Sequence, residues 1–336
     1  MTVLFDRVAL IGIGLIGSSL ARRIRQDGLA KHIAASARSA ATLATVRALK
    51  LADTVTADPA EAVRGADLVV ICTPMGAYEE VAKAIAPALK PGAIVSDVGS
   101  VKRAAIDMLA PHLPKNVTLV PGHPVAGTEH SGPEAGFATL FEGHWTILTP
   151  PPGTDPKAVE RVAALWRRCG AKVEVMDADH HDHVLAITSH VPHVIAYSIV
   201  GTATHLAEHT QSEVIKFAAS GFRDFTRIAA SDPTMWRDIF LNNRDAVLEM
   251  LGRLLEDVST LQRAIRFGDG EAMFDFFTRA RAIRRGVIEA GQHIPPAPDS
   301  ASPPPPKAVP HRKAVKKPAR KAARPKRRAR GVRNRP

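Results

Sequence analysis

Short apolar runs alternate with amphipathic segments through the first half of the chain. The run Val8–Ile13 predicts a buried strand, and Ser18–Asp27 predicts the helix that follows it. Strands that alternate with helices are typical of βαβ units in a parallel sheet. The same pattern predicts strands at Ile33–Ser36, Leu68–Cys72, Ile94–Asp97, Thr118–Val120, Trp145–Thr149 and Lys172–Val175, and helices at Tyr78–Leu89, Lys102–Leu113 and Pro156–Cys169.

The second half of the chain has a different pattern. Strand signals disappear after Asp177, and the pattern is helical as far as Ala290. From Pro295 onward the chain is rich in Pro, Lys and Arg, with too little apolar surface to offset the entropy of folding. We therefore predict an α/β protein with a Rossmann-type, doubly wound parallel sheet at 1–177, an all-helical domain at 178–294 and a disordered, Pro-rich basic tail at 295–336.

The tail accounts for the net charge of the chain. Residues 295–336 contain six Lys and eight Arg against one acid, a charge of +13, so the remainder of a chain with a formal net charge of +12 carries −1. The basic pI is therefore no evidence that the folded part binds nucleic acid. A solvated tail without a partner is the simpler hypothesis, and weak, salt-sensitive polyanion binding by the tail is the alternative.

Cysteine content and the N-terminus indicate the compartment. The only two cysteines, Cys72 and Cys169, fit neither a disulfide framework nor a zinc motif. The N-terminus lacks the charged-then-apolar pattern of a signal peptide. The most apolar later run, Val184–Val200, is interrupted by two histidines and a proline, so we expect it to be too short and too polar to span a membrane. These features predict a cytoplasmic protein without a membrane partner.

A glycine-rich loop links the first strand to the first helix. Gly12 permits a tight turn, Gly14 lets a pyrophosphate approach the backbone, and Gly17 lets the helix pack closely on the sheet. The N-terminus of the helix then faces the phosphates. In this strand–loop–helix setting, the pattern predicts a dinucleotide site rather than a structural turn. The residues expected to bind the cofactor are Gly12, Gly14, Leu15, Ile16 and Gly17.

The end of the second strand bears on the choice between NAD and NADP. An acid normally binds the ribose 2′-hydroxyl of NAD there, but the segment Ala35–Ser39 contains none. Ser36 and Arg38 could instead bind a 2′-phosphate, because a guanidinium matches phosphate geometry. We therefore expect NAD(P), with NADP slightly favoured and a merely solvated Arg38 as the alternative.

Two more segments follow predicted strands and should lie at the carboxyl edge of the sheet, where doubly wound folds bind ligands. Thr73 and Pro74 follow one strand and are candidates for contact with the cofactor. Ser100 follows the next strand, in the segment Asp97–Lys102. It either contacts a substrate hydroxyl or caps the helix that starts at Lys102, and capping is the simpler interpretation of Ser100 taken alone.

The segment Gly122–Gly132 concentrates glycine and polar residues. It has the pattern of neither a helix nor a strand, so we predict a loop, the kind of element on which catalytic side chains concentrate. His123 precedes a proline that stiffens the backbone, and its place after a strand at the same edge would make it face the nicotinamide. The alternative is an ordinary turn with an incidental histidine. Thr128 and Glu129 follow in the same segment.

The predicted helical domain begins with several histidines. Ser189 and His193 are four residues apart and therefore share a helix face. His180, His181 and His183 are close together, but no matching set of carboxylates or cysteines accompanies them. We expect a solvated helix start here rather than a metal site.

Charged and aromatic residues are combined in Gly221–Trp236. Arg223 and Arg227 flank Asp224, and Trp236 follows. Beside a nucleotide-binding domain, two arginines could bind a substrate carboxylate through bidentate hydrogen bonds. The alternative is a surface ion pair.

Together these motifs resemble the prephenate/arogenate (cyclohexadienyl) dehydrogenase family over residues 5–290. The resemblance implies NAD(P)-dependent oxidative decarboxylation of prephenate and/or arogenate in tyrosine biosynthesis, with hydride transfer to nicotinamide, loss of carbon dioxide and aromatisation. It also implies that the helical domain forms a homodimer. The resemblance rests on the nucleotide loop, Asp97–Lys102, Gly122–Gly132, Ser189–His193 and Gly221–Trp236.

The resemblance also implies roles for individual residues. His123 corresponds to the catalytic histidine that engages the ring hydroxyl of the substrate, and Ser100 to the serine that orients it. Arg227 corresponds to the arginine that binds a substrate carboxylate. The other implied substrate-binding residues are Thr128 and Glu129 at the gate of the pocket, Ser189 and His193 near substrate and nicotinamide, and Asp224 and Trp236 beside the arginine.

Other interpretations compete with this one. A 3-hydroxyacid dehydrogenase has a similar two-domain build, but the lysine expected in its second domain is missing between Asp177 and Gln211. A nucleic-acid-associated protein would act through the basic tail. No chorismate mutase segment precedes Met1 and no regulatory ACT domain fits after Ala290, so we expect no feedback control by such a domain. The residues do not discriminate prephenate from arogenate.

Overall fold

The computed structural model describes residues 3–128, 130–204 and 219–289. Glu129 and the predicted tail, 295–336, lie outside these ranges. The strands are β1 (Phe5–Ile11), β2 (Ala30–Ser36), β3 (Thr54–Thr56), β4 (Leu68–Ile71), β5 (Ile94–Asp97), β6 (Thr118–Leu119), β7 (Gly122–Pro124), β8 (Trp145–Leu148) and β9 (Lys172–Val175).

Helices connect these strands and make up the second half of the described chain. In the first half they are α1 (Leu15–Gln26), α2 (Ala40–Ala48), α3 (Pro59–Val63), α4 (Tyr78–Ile85), α5 (Lys102–Leu109) and α6 (Pro156–Arg168). In the second half they are α7 (Ala178–Leu185), α8 (Val191–Thr204), α9 (Ser220–Thr226), α10 (Pro233–Asn242), α11 (Arg244–Phe267) and α12 (Gly270–Glu289).

The first six strands form one parallel sheet in the order β3-β2-β1-β4-β5-β6. Val8 of β1, for example, lies between Ile33 of β2 and Leu68 of β4. The chain reverses its direction of travel across the sheet between β1 and β4, and this switch point is where doubly wound sheets bind ligands. The Rossmann-type fold followed by helices is therefore confirmed.

Helices cover both faces of the sheet and create two apolar cores. Leu10 and Val70 pack with Leu20 of α1 and Trp166 of α6 on one face. Val69 points to the other face, among residues of α3, α4 and α5. Burying one leucine side chain contributes about 2 kcal/mol to folding. Burial on both faces also explains why the strands appear in the sequence as continuous apolar runs.

A second, three-stranded sheet, β7-β8-β9, follows the first. The prediction of a loop over the whole of Gly122–Gly132 is wrong at its start, because Gly122–Pro124 forms strand β7. His123 pairs with Ile147 of the antiparallel strand β8. Strand β7 is at the edge of this sheet, where a proline such as Pro124 removes no hydrogen bond from the ladder.

The helical part starts with a long helical run, Ala178–Ala203. Asp177 accepts hydrogen bonds from the backbone N–H groups of Asp179 and His180 and so caps α7. A π-helical turn, Ala186–His190, joins α7 to α8. The helix therefore continues through the histidines and the proline that were expected to interrupt it.

The helical run Ala178–Ala203 has a stretch of mean hydropathy 1.4 and is long enough to cross a membrane by length and composition alone. The prediction that this region is too short and too polar is therefore wrong by those two criteria. The run also contains His181, Asp182 and His190, which are buried against neighbouring elements. Helices of the core of a soluble protein can have the same length and hydropathy.

Candidate active site

The glycine loop has the close packing that a dinucleotide site requires. Gly12 has φ +95°, and a Cβ atom there would lie 2.8 Å from the carbonyl carbon of Cys72. A Cβ on Gly17 would overlap the carbonyl oxygen of Gly12. A Cβ on Gly14, in contrast, would have no described atom within 4 Å, so the start of α1 is open to a ligand. These residues, with Leu15 and Ile16, fit a bound dinucleotide.

The residues proposed to select the cofactor lie at the end of β2. Ser36 is buried, and its carbonyl oxygen accepts a hydrogen bond of 2.8 Å from the N–H of Gly12. Arg38 is exposed just beyond the strand. Ser39 caps α2 by accepting from the N–H of Thr42. The end of β2 thus combines a buried serine, whose backbone is bonded to the glycine loop, with an exposed arginine two residues later.

Thr73 and Pro74 follow β4 on the other side of the switch point. The backbone N of Thr73 is one of the atoms packed against Gly12. Its hydroxyl oxygen is buried and has no hydrogen-bond partner among the described residues. Pro74 is exposed. An unsatisfied buried hydroxyl beside the glycine loop is a suitable group for a ligand to hydrogen bond.

A buried ion pair fixes the backbone at the end of β5. The Nζ atom of Lys102 lies 2.5 Å from Oδ2 of Asp97, and both side chains are fully buried. The same oxygen accepts from the hydroxyl of Tyr78 at 2.9 Å. Lys102 also donates to the carbonyl of Gly122 at 2.7 Å, and Asp97 Oδ1 accepts from the N–H of Gly122 at 3.1 Å. The pair therefore bonds both backbone polar groups of Gly122, the residue that precedes His123.

His123 is the first member of a buried chain of hydrogen bonds. Its Nδ1 atom lies 2.8 Å from Nε2 of His181, and Nδ1 of His181 lies 2.8 Å from Oδ1 of Asp182. The carboxylate of Asp182 also accepts from the backbone N–H groups of Lys102 (2.8 Å) and Arg103 (2.9 Å). The chain thus runs from the sheet edge through α7 to the N-terminus of α5.

Both histidines in this chain are neutral at pH 7. Burial lowers the pKa of His123 well below its usual value, and the neighbouring His181, Lys102 and His190 lower it further. Burial also lowers the pKa of His181, although hydrogen bonding to Asp182 opposes the shift. A neutral imidazole retains one nitrogen that can accept a proton.

The expectation of a solvated helix start is wrong for His181. Its side chain is fully buried because α7 packs against α5, whereas His180 and His183 are exposed as expected. Among the described residues, no group of three or more His, Cys, Asp or Glu side chains could hold a metal ion. The sequence signal for this missed site residue was the His181–Asp182 pair, in which a carboxylate directly follows a histidine.

Ser100 does not cap the helix that follows it. The N-cap of α5 is Val101, which has no side-chain oxygen, and Asp182 accepts from the first N–H groups of the helix instead. The capping interpretation is therefore wrong, because an acid from the helical part covers this helix start. Ser100 is half-buried and, in the sequence, falls between Asp97 and Lys102, the two members of the buried ion pair.

The segment after β7 returns to the helix of the glycine loop. Thr128 is exposed, and its hydroxyl accepts from the N–H of His130 at 3.2 Å. Further along, the N–H of Phe137 donates to the hydroxyl of Ser19 in α1 at 3.1 Å. The segment that contains Thr128 is therefore anchored to the helix that would face the cofactor phosphates.

His193 and Trp236 form a second aromatic centre in the helical part. The two rings stack with centroids 3.5 Å apart and planes 24° apart. Nδ1 of His193 lies 2.8 Å from the carbonyl oxygen of Ser189, so this nitrogen carries the proton. His190 contacts the edge of Trp236, and its Nδ1 accepts from the amide of Asn243 at 3.0 Å. Packing and hydrogen bonding together fix the orientation of the His193 ring.

The charged residues of α9 and of the turn that follows it divide into two groups. Arg223 and Asp224 form an exposed ion pair of 3.1 Å, which matches the surface-pair alternative for Asp224. Arg227 is exposed at the start of the 3₁₀ turn that follows α9, and its charge lowers the pKa of His193, after burial as the main cause. Arg227 therefore lies near the His193–Trp236 centre, and Asp224 is held by Arg223.

The sequence matches two family descriptions across this architecture. Residues 20–175 match "Prephenate dehydrogenase, nucleotide-binding domain", and residues 177–279 match "Prephenate dehydrogenase, dimerization domain". The chain is 43% identical to the cyclohexadienyl dehydrogenase of Zymomonas mobilis over 284 residues, which cover 84% of this chain and 96% of that protein. It is 36% identical to the prephenate dehydrogenase of Bacillus subtilis, with 85% and 77% covered.

A solved structure supports the same relationship. The prephenate dehydrogenase of Aquifex aeolicus, in complex with hydroxyphenyl propionate and NAD+, superposes with a TM-score of 0.77 at 32% identity. The alignment covers 84% of this chain and 98% of that one. Sequence and fold therefore agree along both halves of the described chain, and the protein belongs to the prephenate dehydrogenase family.

Proposed function

We propose that the protein catalyses the NAD(P)-dependent oxidative decarboxylation of prephenate and/or arogenate, with His123 as the proton acceptor. The observation that carries the assignment of His123 is its burial as a neutral imidazole directly after Gly122, whose N–H is bonded to Asp97 at the carboxyl end of β5. A base that remains unprotonated at neutral pH is what removal of a hydroxyl proton requires.

The residues of the chain would act as follows. His123 accepts the proton of the ring hydroxyl while Ser100 orients that hydroxyl. The nicotinamide, when bound at the glycine loop, supplies the hydride acceptor. The oxidised ring then loses carbon dioxide readily, because the loss makes the ring aromatic. The main task of the protein is therefore to position the substrate and to accept one proton.

The negative charge of the substrate would be bound by a positively charged side chain of the helical part. Arg227 is proposed to bind a substrate carboxylate, with His193 and Trp236 forming the adjoining wall. Hydroxyphenyl propionate, bound to the Aquifex aeolicus protein, is itself a ring that bears a carboxylate side chain, and this supports an anionic ring as substrate. Ser189, Thr128, Glu129 and Asp224 complete the proposed substrate-binding set.

The preference between NAD and NADP is a separate proposal. Arg38 is exposed beyond β2, where the family fold places the adenosine ribose, and the segment contains no acid for a 2′-hydroxyl. We propose that NADP is used slightly better than NAD. The Aquifex aeolicus structure, which holds NAD+, shows that a related site accepts the unphosphorylated cofactor.

The helical part is proposed to form a homodimer. Its last two helices, α11 and α12, expose many large apolar side chains, an arrangement that marks an interaction surface. Light scattering should give twice the chain mass of 36.0 kDa. A monomer at working concentrations would contradict the proposal. The exposed residues are Leu248, Leu255, Val258, Ile265, Phe267, Phe274, Phe277 and Ile283.

Steady-state assays that cross both substrates with both cofactors test the function directly. The purified chain should reduce NAD or NADP with prephenate, arogenate or both, and should release carbon dioxide in equal amount. No turnover in any of the four combinations would contradict the proposed function. Turnover of a 3-hydroxyacid instead would favour the competing class of dehydrogenase.

A further inference from the structure

The hydrogen bonds behind His123 have only one consistent direction. Asp182 accepts backbone N–H groups on both of its carboxylate oxygens, from Lys102 on Oδ1 and from Arg103 on Oδ2. The carboxylate is therefore an acceptor toward its other neighbour as well. It follows that Nδ1 of His181, 2.8 Å from Oδ1 of Asp182, carries a proton and donates it.

The protonated nitrogen of His181 determines which nitrogen of His123 carries a proton. In a neutral imidazole whose Nδ1 is protonated, Nε2 has a lone pair and can only accept. Nε2 of His181 faces Nδ1 of His123 at 2.8 Å, so Nδ1 of His123 must be the donor. The lone pair of His123 is then on Nε2, the nitrogen that is turned away from His181.

We propose that His181 and Asp182 are positioning residues that hold His123 in its Nδ1–H tautomer and leave Nε2 as the nitrogen that accepts the substrate proton. The inference rests on the proposed function only in its second part, the use of Nε2 as the base. The first part, the tautomer, is a property of the protein without substrate.

The surroundings keep the chain in this state. The charged and titratable groups near His123 are His181, Lys102 and His190, with Asp182 behind His181 and Asp97 beside Lys102. A second proton on His181 would turn its Nε2 into a donor and force His123 into the opposite tautomer. Burial lowers the pKa of His181 and so disfavours that second proton.

The arrangement also suits the moment at which His123 becomes charged. When Nε2 of His123 takes up a proton, Nδ1 continues to donate to His181, and His181 continues to donate to the carboxylate of Asp182. The negative charge of Asp182 thus stabilises the imidazolium through one intervening ring. A carboxylate that fixes a tautomer and stabilises an imidazolium has the role of the aspartate in a Ser-His-Asp triad.

Nitrogen NMR of the ¹⁵N-histidine-labelled full chain tests the tautomer directly. The His123 signals are identified by their loss in the His123→Asn variant. In the unaltered protein at neutral pH, Nδ1 of His123 should be protonated and Nε2 unprotonated. A protonated Nε2 together with an unprotonated Nδ1 would overturn the inference, whatever the protein is found to catalyse.

Variants of His181 test the consequence for catalysis. His181→Leu removes the acceptor, so His123 should lose its fixed tautomer, and kcat with prephenate and NAD should fall about 10- to 100-fold while the substrate KM changes little. His181→Gln keeps one donor and one acceptor and should recover part of the loss. His180→Leu, an exposed neighbour in the same helix, is the matched control and should leave both kcat and the tautomer unchanged.

The outcomes separate the two proposals. A fall in kcat for His181→Leu with the tautomer of His123 unchanged would make His181 merely structural and overturn the inference. Unchanged turnover in His123→Asn, with the Nδ1–H tautomer present in the unaltered protein, would remove the proposed base but leave the tautomer assignment intact. If His181→Leu does not fold, the spectrum of the unaltered chain still decides.

Discussion

The two histidine centres of the molecule differ in how firmly they are held. His123, at the sheet edge, is buried and hydrogen bonded to His181, and an ion pair bonds both backbone polar groups of the preceding residue, Gly122. His193, in the helical part, is half-buried, stacked on one tryptophan and close to the exposed Arg227. A group that moves a proton needs a fixed geometry and a tuned pKa, whereas a group that attracts a charged substrate can remain near solvent.

This difference predicts that damage to the sheet-edge centre should lower the rate, and damage to the helical centre should weaken binding. Measured kcat and KM values for variants of each centre would either put a number on this difference or show that it does not exist.

His123→Asn should have the largest effect. The amide cannot accept the substrate proton, so kcat should fall by roughly 10²–10⁴ while substrate binding changes little. Stopped-flow measurement of the first turnover, together with isothermal titration of substrate, would separate the two quantities. If turnover is retained, His123 is not the base, and the sheet-edge centre has only a structural function.

Acidification should destabilise the folded state through His190, which is buried beside Trp236. Burial lowers the pKa of His190 to about 4, and its Nδ1 accepts a hydrogen bond from Asn243, so the folded state holds this ring neutral. The unfolded chain binds the proton near pH 6.5, so stability is fully present above that pH and is lost as pH falls toward 4. The loss from this one group is at most about 3 kcal/mol.

Urea unfolding at pH 7, 6 and 5 measures this dependence. His190→Gln, which keeps an acceptor for Asn243 but cannot be protonated, should flatten the part of the curve that His190 contributes. His180→Gln is the matched control, because His180 is exposed on the same helical run. Equal pH dependence in the two variants would mean that His190 does not couple the fold to pH.

Features formed by residues that are close together in the sequence were predicted, and features that depend on contacts between remote segments were missed. The glycine loop was predicted because a strand, three glycines and a helix follow one another within one short segment. Burial of His181 was missed because it depends on α7 packing against α5, which is about 80 positions earlier in the chain. Strand β7 was missed for the same reason, since its partner β8 is remote in sequence and the glycine and proline around His123 suggested a loop.

Arg227→Ala should affect binding more than rate. Loss of charge-assisted hydrogen bonds to a carboxylate costs about 1.5–3 kcal/mol, so the substrate KM should rise roughly 10- to 100-fold with a smaller change in kcat. Arg237→Ala is the matched control, because it removes the same charge from a nearby exposed arginine whose ion-pair partner, Asp238, is outside the proposed substrate-binding set. A fall in kcat as large as that of His123→Asn would show that the helical centre is also part of the proton chemistry.

Arg38→Asp should have the smallest effect, although Arg38 lies at the carboxyl edge of the six-stranded sheet, the edge at which Asp97 holds the residue before His123. Arg38 is exposed, so water and salt screen its attraction for a 2′-phosphate, and the ratio of kcat/KM for NADP to that for NAD should fall by only about fivefold. The change should shrink at high ionic strength, and kcat should be unaltered. Arg64→Asp makes the same change of charge at the opposite, amino edge, just before β4, and should leave the ratio constant. An unchanged ratio in Arg38→Asp would mean that Arg38 is merely solvated. A fall in kcat in Arg38→Asp would mean that a residue at the carboxyl edge of the sheet can control the rate even though it is exposed.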